Sequence, residues 1–178
     1  MKESQNIENV WIAPDKNGIK LPDVIDLQSD PYYHVLFYSE PNAEEIRRFN
    51  QFIRRNRSQK IRLYHGTKSE IPAMSEGLKP SSKKRRNSLQ SATGYVCFSV
   101  YKEMAKHFGE MAFPGKSITV YAIEYSFSML LPDKDQLRNK RMWTGIECGD
   151  TLGESLIIGR GARVKGHIPP YLIYPIKI

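Results

Sequence analysis

The chain has 178 residues, 40% hydrophobic and 26% charged, with 27 Lys and Arg against 19 Asp and Glu for a net charge of +8. That is enough chain for one domain around one core, and the composition is globular, not disordered or fibrous. No apolar run reaches the length needed to span a bilayer, and the opening Met1-Lys2-Glu3-Ser4 is not a signal peptide; both predict a cytoplasmic protein with no membrane partner.

The two cysteines, Cys97 and Cys148, lie far apart and fit no metal spacing, so reduced thiols are expected. The four histidines at 34, 65, 107 and 167 are equally isolated, and no protein-bound metal is predicted. Charge is unevenly distributed. Residues 1–40 hold three cations and seven anions, residues 41–106 fifteen and five, and residues 107–178 nine and seven. A basic middle third favours a polyanionic partner through counterion release and steering, or it is simply a well-solvated surface.

Residues 1–40 read as an acidic N-terminal extension, punctuated by Pro14, Gly18, Pro22 and Pro31. Its hydrophobes, Trp11, Ile12, Leu21, Val24, Ile25 and Leu27 among them, are too many for a disordered tail, so the extension should pack on a core formed by residues 41–178. Tyr33–Ser39 is rich in aromatic and β-branched residues and reads as a strand. Asn42 with Glu45 three residues on is a capping box, and Ile46, Phe49 and Ile53 follow at helical spacing; a helix is predicted over about 43–56. A strand at 61–65 comes next and ends in His65-Gly66-Thr67.

Lys83-Lys84-Arg85-Arg86 sits in a polar loop and reads as a grip on a nucleic-acid backbone, a targeting signal, or a solvated loop. Gly94–Ser99 is a second short strand, with Ser99 placed to cap a helix over 100–109 that bears Tyr101, Met104, Ala105 and Phe108 and stops at Gly109. Ser117–Phe127 alternates as a long strand, and Pro132–Arg141 reads as a short surface helix. Glu154–Ile158 and Pro170–Ile178 read as strands joined by a loop or hairpin over Gly159–Pro169, with Pro175 marking a sheet edge or bulge. Mixed strands and few helices indicate an α+β fold.

The order of these pieces carries more than any one of them. A strand ending in His65-Gly66-Thr67, a strand Gly94-Tyr95-Val96-Cys97-Phe98-Ser99 running into an aromatic-bearing helix, and Gly153-Glu154-Ser155-Leu156-Ile157-Ile158 before a last strand resemble the ADP-ribosyltransferase fold of the poly(ADP-ribose) polymerase and diphtheria-toxin type. The resemblance covers about residues 60–178. It implies an α+β core of two packed mixed or antiparallel sheets with a few short helices, and NAD as co-substrate. By matching position, His65 would bond the adenosine ribose, Gly66 the nicotinamide carboxamide through its backbone, and Glu154 the nicotinamide ribose. Thr67, Tyr95, Cys97, Ser99, Tyr101 and Phe108 would complete the cofactor pocket. Cleaving the nicotinamide–ribose bond builds positive charge on the sugar, which a fixed carboxylate stabilises selectively in the transition state.

The match departs from the family pattern where a tyrosine that stacks on nicotinamide falls at Cys97 and a serine falls at Ala105. Leu152 lacks the carboxylate or amide of the arginine-modifying branch. Lys83, Lys84, Arg85, Arg86, Arg160 and Arg163 are candidate acceptor-binding cations, and Tyr95, Tyr101 and Trp143 are candidate stacking platforms for unpaired bases. The expected function is therefore transfer of ADP-ribose from NAD to nucleic acid, RNA ahead of DNA. A toxin or antiviral effector of this kind would have an inhibitory partner protein. The alternatives are the same enzyme acting on a protein, and a nucleic-acid-binding module without NAD chemistry.

Overall fold

A computed structural model describes residues 11–38, 42–82 and 92–178. Its centre is a seven-stranded sheet of β1 (Val24–Ile25), β2 (Lys60–Lys68), β3 (Tyr95–Ser99), β4 (Ile118–Ser126), β5 (Leu131–Pro132), β6 (Gly161–Lys165) and β7 (Ile173–Ile176). The path runs β5-β6-β3-β2-β4-β7, antiparallel throughout, while β1 lies parallel to the start of β2. The described residues also form six α-helices: α1 (Pro31–Tyr38), α2 (Ala43–Arg55), α3 (Ala73–Glu76), α4 (Lys102–Ala112), α5 (Lys134–Thr144) and α6 (Leu152–Ile157). The class is α+β. None of the described helices is long and apolar enough to cross a membrane.

Pairing along the sheet is uneven, and the weak point matters. β2 and β4 pair over nine positions from Lys60↔Ser126 to Lys68↔Ile118, and β3 and β6 over five. β2 and β3 meet at one position, Tyr64↔Ser99. Beyond it the strands diverge, so the sheet divides into a β5-β6-β3 wing and a β2-β4-β7 wing joined at a single bridge.

One core runs through both residues 11–38 and the sheet. Trp11, Tyr33, Phe49 and Phe52 form an aromatic group with ring centroids 5.5–6.5 Å apart, continuous with Ile61, Leu63 and Ile123 of the sheet. Asp15 is paired to Arg55 at 2.9 Å, and that guanidinium holds its carboxyl below the usual aspartate range. The capping box of α2 is present, and buried Glu45 also accepts from the Trp11 amide at 3.2 Å.

Four sequence expectations change. The strand expected over Tyr33–Ser39 is helical in its described part, because residues 31–38 form α1, and Ser39 lies outside the described residues. Asp30 Oδ1 accepts from the Tyr32 amide at 2.9 Å, Pro31 opens the helix, and buried Tyr33, Leu36 and Phe37 stand at i, i+3 and i+4. β propensity lost to a cap and a helical stripe. Glu154–Ile158 is likewise helical, for Thr151-x-x-Glu154 is itself a capping box. The stretch expected as a loop or hairpin, Gly159–Pro169, contains β6, which pairs with β3 and β5. Finally, α4 does not stop at Gly109 but runs to Ala112. A Cβ at Gly109 would lie 2.8 Å from Ile118 Cγ2 and 3.1 Å from the Gly66 carbonyl carbon, so this glycine lets the helix press onto the sheet.

Candidate active site at the divergence of two strands

The gap opened between β2 and β3 is a cavity of about 210 Å³. One wall is His65-Gly66-Thr67 at the free edge of β2, and the other is Tyr95–Ser99 of β3. Ala105, Phe108 and Ala112 of α4 and then Phe113 supply an apolar side, while Asp133, Asp135, Gln136 and Asn139 supply a polar one, and Gly159-Arg160-Gly161 closes an end. A volume of this size takes a ring and its sugar, below the range usual for a whole drug-sized ligand. Anything larger must continue along the mouth.

His65 is fixed across the gap. Its Nδ1 lies 2.8 Å from the Cys97 carbonyl oxygen, and its ring is 5.6 Å from that of Phe98. The carbonyl can only accept, so Nδ1 carries the proton and donates. The neighbouring Gly66 has a packing reason for being glycine. A Cβ there would overlap the carbonyl oxygen of Ala105 and come within 3.3 Å of the Lys106 Cα. The residue lines the cavity, but the absence of its side chain is demanded by α4, not by a ligand.

The remaining residues expected in a cofactor pocket separate into two groups. Thr67, Tyr95, Cys97, Ser99 and Phe108 line the cavity, with Thr67 and Ser99 buried. Ser99 Oγ accepts from the Tyr101 amide at 3.1 Å and donates to the Arg160 carbonyl at 3.3 Å, so it secures the turn into α4. Tyr101 does not line the cavity; it packs edge-on against Phe37 at 5.6 Å and carries the Arg160 guanidinium at 5.5 Å.

Glu154 requires the largest correction. It does not line the cavity. Its Oε1 accepts from the Gly149 amide at 2.7 Å, and Oε2 accepts from the Thr151 amide and hydroxyl at 3.1 and 2.7 Å. Those three donors tie the carboxylate to the start of α6, a structural position. Glu154→Ala should therefore cost about 1–2 kcal/mol of stability, the scale of losing a cap. Chemical denaturation checks this, and activity per folded molecule should stay near that of the parent.

The carboxylates that face the cavity are Asp133 and Asp135, which the sequence reading did not select. Asp135 is engaged by Arg138 at 2.8 Å, by the Ala92 amide at 2.8 Å and, more loosely, by Arg163 at 4.0 Å. Asp133 is 3% exposed, which leaves little water to support its charge. Its Oδ1 accepts from the Gln136 amide at 3.2 Å as the N-cap of α5, and the Cys97 thiol lies beside the same carboxyl. Burial pushes Asp133 above the usual aspartate range. Burial also raises Cys97, which keeps it a neutral thiol and not a thiolate nucleophile. The cap was legible as Asp133-x-x-Gln136, but nothing local says that it faces His65.

Of the candidate acceptor cations, Lys83, Lys84, Arg85 and Arg86 lie outside the described residues. Arg160 lines the cavity. Arg163 does not; its side chain is 11% exposed, stacked on Tyr95 at 4.2 Å and set against Asp135. It is a buried support, and the expectation of an acceptor-facing Arg163 is corrected. Among the described residues no cluster of His, Cys, Asp and Glu could hold a metal ion. Neither a protein-family model nor a curated protein matches the chain.

Proposed function

We propose that the protein is an NAD-dependent ADP-ribosyltransferase whose acceptor is single-stranded nucleic acid, RNA ahead of DNA. The observation that carries the reading is the divergence of β2 and β3 at Tyr64↔Ser99, with His65-Gly66-Thr67, Tyr95–Ser99 and Phe108 around the resulting cavity. The resemblance to ADP-ribosyltransferases assigns NAD to the residues that stand there. Two wings hinged at one bridge also suit the two-sheet core of that family.

In this reading the nicotinamide ring lies beside Phe108, His65 bonds a ribose hydroxyl, and Asp133 takes the part first expected of Glu154. Heterolysis of the nicotinamide–ribose bond leaves the electron pair on nicotinamide nitrogen and positive charge on the sugar. A buried carboxylate that lacks water gains more from that charge than a solvated one does. The acceptor nucleophile then forms the new bond at the anomeric carbon and releases a proton.

The acceptor side rests on α5. Gln136 and Asn139 line the cavity, and Trp143 continues the same helical face at i+7 and i+4 from them, 80% exposed. Lys140 shares that face and is in no ion pair among the described residues. An exposed indole beside a cation, about 6 Å along the helix from the last cavity-lining residue Asn139, suits a stacked base.

Incubation with NAD labelled in the adenylate, with separate pools of RNA, DNA and protein, tests the function. Label is expected in RNA most strongly and in DNA more weakly. Label in protein alone would remove the nucleic-acid acceptor, and neither transfer nor NAD cleavage would remove the enzyme. Trp143→Ala should weaken single-strand binding by about tenfold, the energy of one stacked base, without changing NAD cleavage in the absence of acceptor. Fluorescence anisotropy with a short labelled oligonucleotide reads that change.

A further inference from the structure

Arg160 stands in a backbone conformation that suits glycine. Its φ of 56° makes it the one non-glycine residue with positive φ among those described. Glycines flank it on both sides, yet neither has a positive φ. Each answers a different demand: a Cβ at Gly159 would lie 2.8 Å from the Ser155 carbonyl oxygen, and one at Gly161 2.5 Å from the Phe98 carbonyl oxygen. The strained position itself keeps a long cationic side chain. The strain cannot relax easily, because the Arg160 carbonyl accepts from the Val100 amide at 3.0 Å and from Ser99 Oγ.

That side chain is uncommitted in a way that its neighbour is not. Arg163 is buried on Tyr95 and against Asp135. Arg160 is in no ion pair among the described residues, and its guanidinium carbon rests 5.5 Å from the Tyr101 ring, a contact that uses no N–H donor. It lines the same cavity as Asp133, and the two are close in the fold. Pro132 pairs with Ala162, and Ser155 Oγ links the Asp133 amide to the Gly161 carbonyl. An unpaired guanidinium and a buried carboxyl a short way apart, not bonded to each other, complement a ligand with both charges.

We infer that Arg160 holds the diphosphate of a dinucleotide whose cationic end lies at Asp133. Arg is suited to this because its planar fork bonds phosphate oxygens in pairs. The inference rests on the proposed function for the identity of the ligand as NAD, whereas the anion-binding role stands on Arg160 itself. It also moves Arg160 from the acceptor to the co-substrate.

The test is calorimetric titration of the parent protein, Arg160→Asn and Arg160→Gln with ADP-ribose, inorganic pyrophosphate and nicotinamide riboside. Asn tolerates the left-handed conformation without charge, and Gln keeps the strain, so a defect shared by both is a loss of charge and not of backbone geometry. Both variants should bind ADP-ribose and pyrophosphate at least about tenfold more weakly, with nicotinamide riboside unchanged. Parent-like ADP-ribose affinity in either variant overturns the inference, as does a parent that binds neither phosphate ligand. Arg160-dependent ADP-ribose binding without NAD cleavage would keep it while removing the transferase. NAD cleavage with Arg160-independent binding would do the reverse.

Discussion

Asp133→Asn is expected to stabilise the fold and to lower NAD cleavage by about a hundredfold or more, the scale of removing one group that meets transition-state charge. The two effects have opposite signs because Asp133 caps α5 from a buried position and, under the proposed function, also meets the charge built on the sugar. Asn caps a helix as well as Asp, so the bond from the Gln136 amide at 3.2 Å survives the change. What disappears is a charge at a site 3% exposed. Burial raises the folded pKa of Asp133, so the native state keeps its proton to a higher pH than the unfolded chain does. Its contribution to stability is then greatest at low pH and is lost as pH rises from the ordinary aspartate value through the raised one. Thermal melts between about pH 3 and pH 7 should show the variant gaining on the parent as pH rises. A variant that is less stable and fully active would remove Asp133 from the chemistry.

Gly66→Ala is expected to destabilise the protein by about 3 kcal/mol or more, toward the severe end for a single methyl group. The added Cβ would overlap the Ala105 carbonyl oxygen, a backbone atom of a helix already seated on β2 and β4 through Gly109. Neither the strand nor the helix can yield alone, since β2 is paired with β4 along its whole length. Urea denaturation reads the cost. Any activity lost in this variant follows from the displaced helix, which also carries Phe108, so it says nothing about a ligand at Gly66. A stable, cooperatively folding Gly66→Ala would show that α4 can lift.

How far the sequence carried depends on how local each cause was. The helix α2 was legible from Asn42, Glu45 and the stripe at Ile46, Phe49 and Ile53, because the cap and the stripe agree. The strands β2, β3 and β4 were legible for a similar reason, each being a short β-branched or aromatic run between breakers. Two misreadings arose where local signals conflicted. Over Tyr33–Ser39 and Glu154–Ile158, aromatic or β-branched content argued for strands while Asp30-Pro31 and Thr151-x-x-Glu154 argued for helix starts. The caps prevailed, since they satisfy amides that would otherwise lack partners as each helix begins.

Return then to His65-Gly66-Thr67. The sequence by itself determined that this triplet belongs to a strand, which runs on to Lys68, that a second strand and an aromatic-bearing helix follow, and that the fold is α+β. Those features depend on neighbours within a turn or a pleat. Only the tertiary structure decided which carboxylate shares a cavity with His65. Asp133 arrives 68 positions later between β5 and α5, by a pairing of Pro132 with Ala162 that no local periodicity encodes, whereas Glu154 is turned away to cap α6. Capping is a local interaction and can be read along the chain. Enclosure of a cavity by strands that pair at Tyr64↔Ser99 and then diverge is not, because it is set by the close packing of α4 on β2 where Gly109 meets Gly66 and by long-range register.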